Sequence, residues 1–177
     1  VRVINVAMAW GEVFVNQPQS DLWGTPPELR QAIERKLGLT FSAYDPCPYP
    51  LPLGHDGLLC DWGGVGSTVF VNPPFTMARQ FAEKAVEQAS KGRTIVLFIA
   101  ARLDNAAWQH TLLPYARKTL FLRSRVKFVN LGNRELGYHA KAAFPSAAVV
   151  LEASSAEGNM QSVPWDWMAD VKAHAKM

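Results

Sequence analysis

The run Thr94-Ile-Val-Leu-Phe-Ile-Ala100 carries no charge, and no polar group follows its first residue. A strand with one wet face alternates apolar and polar side chains, so an unbroken apolar run predicts a strand covered on both faces. Such a strand needs layers above and below it, and its neighbours supply them. Thr68-Val-Phe-Val71 is a second short buried strand, and residues 77–91 between the two form a helical pattern. Ala78, Phe81, Ala82, Ala85 and Ala89 share one face of that helix, and Gly92 lies beyond its end. Upstream, Thr25-Pro26-Pro27-Glu28 has the form of a capping box, Leu29, Ile33 and Leu37 continue it at helical spacing, and Gly38 stops it. Leu39 to Tyr44 is expected to be a strand ending at Asp45-Pro46-Cys47-Pro48, and Tyr49 to Gly66 reads as loop. Asp104 is the expected cap of a helix bearing Trp108 and Leu112, with further strands at 119–122, 126–129 and 147–151. The polar stretch 130–143 reads as a long loop.

Strands alternating with helices predict an α/β fold with a mostly parallel central sheet and flanking helices. The expected organisation is an extended arm over 1–20, one domain over 21–153 and a loosely attached tail over 154–177 with one short helix. In that tail Trp165 and Trp167 are expected to pack on the body. With 177 residues, 49% of them hydrophobic, the chain suits one globular domain with a full core. No apolar run reaches the roughly 18 residues of a membrane helix, and no secretory signal opens the chain, so a cytoplasmic protein without membrane contact is expected. Basic residues exceed acidic ones by 18 to 15, a net charge of +3 that is compatible with a polyanionic partner without requiring one. Cys47 and Cys60 read as free thiols, and neither they nor the four histidines have metal-site spacing, so no metal is expected.

Asn72-Pro73-Pro74-Phe75 carries the chemistry. An exocyclic amine on a base is a poor nucleophile because its lone pair is delocalised into the ring. Two acceptors on its N–H groups, the Asn72 side-chain oxygen and the Pro73 main-chain oxygen, can turn the nitrogen toward tetrahedral geometry. Consecutive prolines fix φ and stiffen the corner, so both acceptors are preorganised. Phe75 offers a flat face for a base extruded from the stack. The corner directly follows a buried strand, at the sheet edge where ligands of α/β proteins gather.

The ordered set Trp23 with Thr25-Pro26, Asp45-Pro46-Cys47, Gly57-Leu58 with Asp61-Trp62, Asn72-Pro73-Pro74-Phe75, Ala101-Arg102 with Asp104 and Trp108, Arg125 with Lys127-Phe128, and Phe144-Pro145-Ser146-Ala147 resembles the phage and prophage Dam-type adenine-N6 methyltransferases from about Asp21 to Leu151. The resemblance implies a Rossmann-like fold, S-adenosylmethionine as methyl donor, and double-stranded DNA as partner, in a bacterial host's cytoplasm if phage-encoded. It also implies catalytic roles for Asn72, Pro73, Pro74 and Phe75, and a cofactor pocket lined by Thr25, Pro26, Asp45, Pro46 and Cys47, with Asp61 in contact. Where many nucleotide-binding methyltransferases have a Gly-x-Gly turn, this chain reads Asp45-Pro46-Cys47-Pro48-Tyr49-Pro50.

Arg102 stands at the end of a predicted strand, and Arg123, Arg125 and Lys127 fall at alternate positions that form one basic stripe, a candidate phosphate track. Asn133, Arg134, Tyr138, His139 and Lys141 in the long loop are candidates for contacting the target sequence. A monomer is the expected state. Cytosine-N4 methylation and glutamine methylation pose the same chemical problem and remain open, as does a DNA-binding relative without catalysis. A cytosine carbon-5 mechanism with Cys47 as nucleophile lacks its accompanying Glu-Asn-Val segment and is set aside.

Overall fold

The structure is a computed structural model that describes residues 6–9, 12–15, 21–132, 138–153 and 160–175. Its centre is a five-stranded sheet in the order β11 (Gln161–Trp165), β7 (Ala116–Leu122), β10 (Ser146–Leu151), β6 (Thr94–Ala100), β5 (Thr68–Val71). Helix α1 (Pro27–Leu37) precedes the sheet in the chain, and α2 (Ala78–Ser90) links β5 to its parallel neighbour β6. Successive residues of the central strands feed opposite faces. Val69, Val71, Ile95, Leu97, Ile99, Ala147 and Val149 pack with α2 and with Trp62, Trp108 and Leu112. Phe70, Val96, Phe98, Ala148, Val150 and Leu120 pack with Leu29 and Ile33 of α1 and with Phe41, Phe128, Trp165 and Trp167. Both faces are therefore apolar, which is what the unbroken run 94–100 demands.

The expected mostly parallel sheet is corrected at β10. Strand β10 runs antiparallel to both β6 and β7, whereas β5 with β6 and β7 with β11 are parallel, so the sheet is mixed. The four strands other than β10 point one way. An apolar run reads the same in either direction, so its pattern does not encode this reversal.

Three local expectations are also corrected. Residues 39–44 do not form a strand: one main-chain bond, Ser42 N–H to Thr68 O at 2.8 Å, ties the segment to β5. Side chains of α1 take the groups a ladder needs, Glu34 accepting from Phe41 N–H at 2.7 Å and Arg30 donating to Ser42 O at 3.3 Å. Thr25 does not cap α1; Pro26 holds the cap position and its carbonyl accepts from Leu29 and Arg30. Asn105 rather than Asp104 caps the π-helical turn Ala107–Leu112, its Oδ1 accepting from Trp108 N–H at 3.1 Å, and helix α3 (Leu113–Tyr115) continues that turn.

Two small antiparallel sheets flank the centre. Strands β1 (Val6–Ala9), β2 (Glu12–Val15) and β4 (Leu51–Pro52) form one, within the segments read as arm and loop. Strand β3 (Trp23–Gly24) pairs with β8 (Lys127–Asn130), which pairs with β9 (Tyr138–Lys141) inside the stretch read as a loop.

The segment beyond residue 160 is not loosely attached. Strand β11 adds an edge to the sheet beside β7, where Pro164 is tolerated because one side of an edge strand needs no donor. Helix α4 (Trp167–His174) follows and packs on α1, while Trp165 and Trp167 are 5% and 7% exposed. Trp165→Ala is accordingly expected to lower unfolding free energy by about 3–5 kcal/mol in urea; a change within about 0.5 kcal/mol would mark the segment as an appendage.

Candidate active site

Strand β5 leads from the fully buried Val71 straight into Asn72 at the sheet edge. Three anchors hold the corner that follows. The Asn72 amide nitrogen donates to the Trp23 carbonyl of β3 at 2.8 Å, which orients the side-chain oxygen away from that strand as an acceptor. The Asp21 carboxylate accepts from Thr76 N–H at 3.2 Å and from Thr76 O–H at 2.7 Å. Met77 N–H closes the turn on the Pro74 carbonyl at 2.9 Å. With φ fixed at two successive prolines, these bonds leave the corner little freedom. Phe75 remains 45% exposed and meets Phe128 of β8 edge-on, ring centroids 6.2 Å apart.

A cavity lies on either side of this corner, and Trp23 and Asn72 line both. The first, about 310 Å³, has polar walls that include Thr25, Arg30, Asp45, Cys47 and Tyr49, with Pro74 at its edge. The second, about 540 Å³, is walled by Pro73 and the rings of Phe75, Phe98, Phe128 and Phe144. Its polar points are Arg102, Asn105 and Ser146, besides Asn72. Both cavities lie at the end of β5, and the second also opens where β6 ends and β10 begins, the edge where strand ends leave a crevice.

Of the residues expected at a cofactor pocket, Thr25, Asp45 and Cys47 line the first cavity. Pro26 and Pro46 are buried behind it and line neither cavity. The Pro46 carbonyl meets His55 Nε2 at 3.1 Å, and Gly57 lies so close to it that any side-chain carbon there would collide. Asp61 lies outside both cavities, accepting from Gln88 Nε2 at 3.0 Å and Lys91 Nζ at 2.9 Å. Those two hydrogen bonds, Lys91 first, hold its carboxyl down at about 2. Gln88 also accepts from Trp62 N–H at 2.8 Å, and the Trp62 indole donates to Gly57 O at 2.6 Å. Asp61-Trp62 thus fastens the proline-rich loop to α2.

Burial pushes the Cys47 thiol far above its ordinary range, and the neighbouring Asp45 charge adds to this. A neutral thiol is a poor nucleophile, in agreement with setting the carbon-5 mechanism aside. Burial likewise raises Asp45, while the Cys47 N–H at 2.8 Å and the Arg30 charge pull it back.

The basic residues divide. Arg102 lines the second cavity with its guanidinium 4.7 Å from the Phe144 ring centroid. Arg123 and Arg125 lie in the bend between β7 and β8, so only Lys127 of the expected stripe is on a strand, although all three are exposed. Arg125 donates to the carbonyls of Ala142 and Ala143, bracing the approach to β10, and Arg123 stands 3.9 Å from Asp166. Asn133 and Arg134 lie outside the described residues; of Tyr138, His139 and Lys141 only the main chain, in β9, is described. Sequence reasoning gave no site role to Trp23, Arg30, Tyr49, Asn105, Phe128, Phe144 or Ser146. Trp23 and Phe144-Pro145-Ser146 stood in the recurring set and could have been flagged; Arg30 has no sequence signal beyond its place in a helix. Among the described residues no helix is long and apolar enough to cross a membrane, and no three potential ligands converge on a metal-sized site.

A rigid Asn-Pro-Pro-aromatic corner between a polar and an aromatic cavity is the arrangement of an enzyme that methylates amino groups. The family model described as DNA N-6-adenine-methyltransferase (Dam) matches residues 13–163, and the chain belongs to that family. Its activity is methylation of adenine N6 in DNA. No curated protein matches the chain.

At pH 8, Cys47 is expected to react with iodoacetamide at least about tenfold more slowly in the folded protein than in denaturant, where a thiol titrates near 8.5. The raised value keeps the sulfur protonated in the native state. Peptide mass spectrometry showing faster native labelling would reveal an activated thiolate instead.

Proposed function

We propose that the protein transfers the methyl group of S-adenosylmethionine to adenine N6 in double-stranded DNA, with the cofactor in the polar cavity and the extruded base in the aromatic one. The observation that carries this reading is that Asn72 lines both cavities. Donor and acceptor then meet at one side chain without any rearrangement of the corner. When bound, S-adenosylmethionine supplies an electrophilic methyl group on a sulfonium. The polar cavity fits it chemically: Thr25 Oγ1 is buried without a partner among the described residues, and Asp45 offers a carboxylate. Its volume lies at the small end of the usual range for cofactor sites, about 300–1,000 Å³.

On the substrate side, the Asn72 oxygen and the Pro73 carbonyl accept the two N6 hydrogens, drawing the nitrogen out of conjugation with its lone pair toward the methyl group. Attack would be direct and in-line, the N6–methyl bond forming as the methyl–sulfonium bond breaks and the proton N6 then sheds passing to solvent, with no covalent enzyme intermediate and no general base before attack. Phe75 stacks on the base, and Phe128, edge-on behind it, fixes the ring. Base stacking of this kind is worth roughly 1–3 kcal/mol, against a few kcal/mol for extrusion from the duplex. Arg102 at the cavity and the exposed Lys127, Arg123 and Arg125 support an electrostatic contact with the phosphates; Arg134 completes that proposed set. Four co-directional strands with one reversed partner support a Rossmann-like methyltransferase fold; a monomer in the cytoplasm, of a phage-infected host if phage-encoded, completes the proposal.

Incubation with tritiated cofactor and plasmid DNA, followed by hydrolysis and chromatography, tests the reading. Label is expected in N6-methyladenine; label in cytosine or protein would overturn it. Asn72→Ala should lower kcat by about 100-fold or more with a native circular dichroism spectrum. Phe75→Ala should lower kcat/KM by roughly 5- to 150-fold, the equivalent of one lost stacking contact. Unchanged turnover in Asn72→Ala would contradict the mechanism.

A further inference from the structure

Arg30 is the least satisfied charged group of the polar cavity. It rises from α1 beneath the cavity wall with its guanidinium 5.5 Å from the Phe41 ring centroid and 5.7 Å from that of Phe70. The two rings pack on each other, centroids 5.1 Å apart, and the guanidinium lies against both, where cation–π attraction limits its orientation. Among the described residues its one hydrogen bond runs from Nη2 to Ser42 O at 3.3 Å, and Nε has no partner. Asp45 lines the same cavity near enough to feel the Arg30 charge, yet no ion pair joins the two among the described residues. Asp45 has one oxygen engaged by Cys47 N–H, and the cavity's other carboxylate, Asp21, is occupied by Thr76. A cation and a carboxylate facing one space without pairing leave both charges to be met by a ligand. For Arg30, half-buried with its Nε shut off from solvent, an unmet charge is costly because it loses hydration, while Asp45 remains open to a ligand.

We propose that Arg30 binds the α-carboxylate of the cofactor's amino-acid end, while Asp45 accepts from its α-ammonium. The proposal rests on the reading of this cavity as the cofactor site. A zwitterionic α-amino acid supplies the missing partner for each wall, and the planar fork of Arg30 suits a carboxylate, where two parallel N–H···O bonds form. The orphan Thr25 hydroxyl offers a further hydrogen bond in the same cavity. Arg30 then acts as a positioning residue: it fixes one end of the cofactor so that the other end faces Asn72.

Isothermal titration of the full chain with S-adenosylhomocysteine and with its decarboxylated analogue, which keeps the amine, tests this without turnover. Wild type should bind the decarboxylated analogue about ten- to a hundredfold more weakly, as expected for one lost charge-assisted pair. Arg30→Met, which retains the apolar stem, should weaken S-adenosylhomocysteine by a similar factor and erase its advantage over the analogue; Arg30→Lys should recover part of it. Equal binding of the two ligands by wild type would overturn the proposal whether or not the variants fold, and would leave the cofactor site itself standing. Equal weakening of both ligands by Arg30→Met would reduce Arg30 to a packing role and overturn it too. If wild type bound neither ligand, the cofactor reading would fail first and this inference with it.

Discussion

The hydrogen bond from the Asn72 amide to the Trp23 carbonyl is the constraint on which the rest depends. It ties the residue that follows β5, a buried strand of the main sheet, to a strand of a different, smaller sheet. Because the amide nitrogen is committed there, the oxygen is left to act. Because Trp23 borders both cavities, the same bond fixes the partition between them. The two prolines would stiffen any turn, but this contact gives the stiff turn its direction.

Around it the protein divides its labour by layer. The α2 face of the sheet is a dense apolar core whose buried Gln88 organises Trp62 and Asp61 and so anchors the proline-rich loop. The α1 face leads to the cavities: Phe70 and Phe98 extend from its core to line one cavity each. Core packing and cavity walls thus share residues on both faces, Phe70 and Phe98 on one and Ile99 on the other. A substitution at Phe70 or Phe98 would disturb both, whereas Trp108 and Leu112 line neither cavity.

How much of this could be read from the amino acids depended on whether the cause was local. Strands β5 and β6 were legible because coverage on both faces forces apolar residues at every position. The place of the Asn72–Phe75 corner at the sheet edge was legible because two adjacent prolines after a buried strand have few structural uses. The segment 39–44 was misread because Glu34 and Arg30, distant in sequence, take its backbone groups. The tie of Asp61 to α2 was not legible because its partner lysine lies thirty residues on. The direction of β10, the capture of β11 by the sheet and the cavity-facing role of Arg30 all follow from tertiary arrangement, which periodicity does not carry.

The central claim is that one corner joins a cofactor cavity to a base cavity. A crystal structure of the protein with S-adenosylhomocysteine and a DNA duplex containing the target adenine tests it most directly. The account predicts an extruded adenine flat against Phe75, its N6 about 3 Å from the Asn72 and Pro73 oxygens, with the cofactor sulfur across Asn72 in the polar cavity. An adenine still stacked in the duplex, or a cofactor bound outside the cavity lined by Thr25 and Asp45, would contradict it.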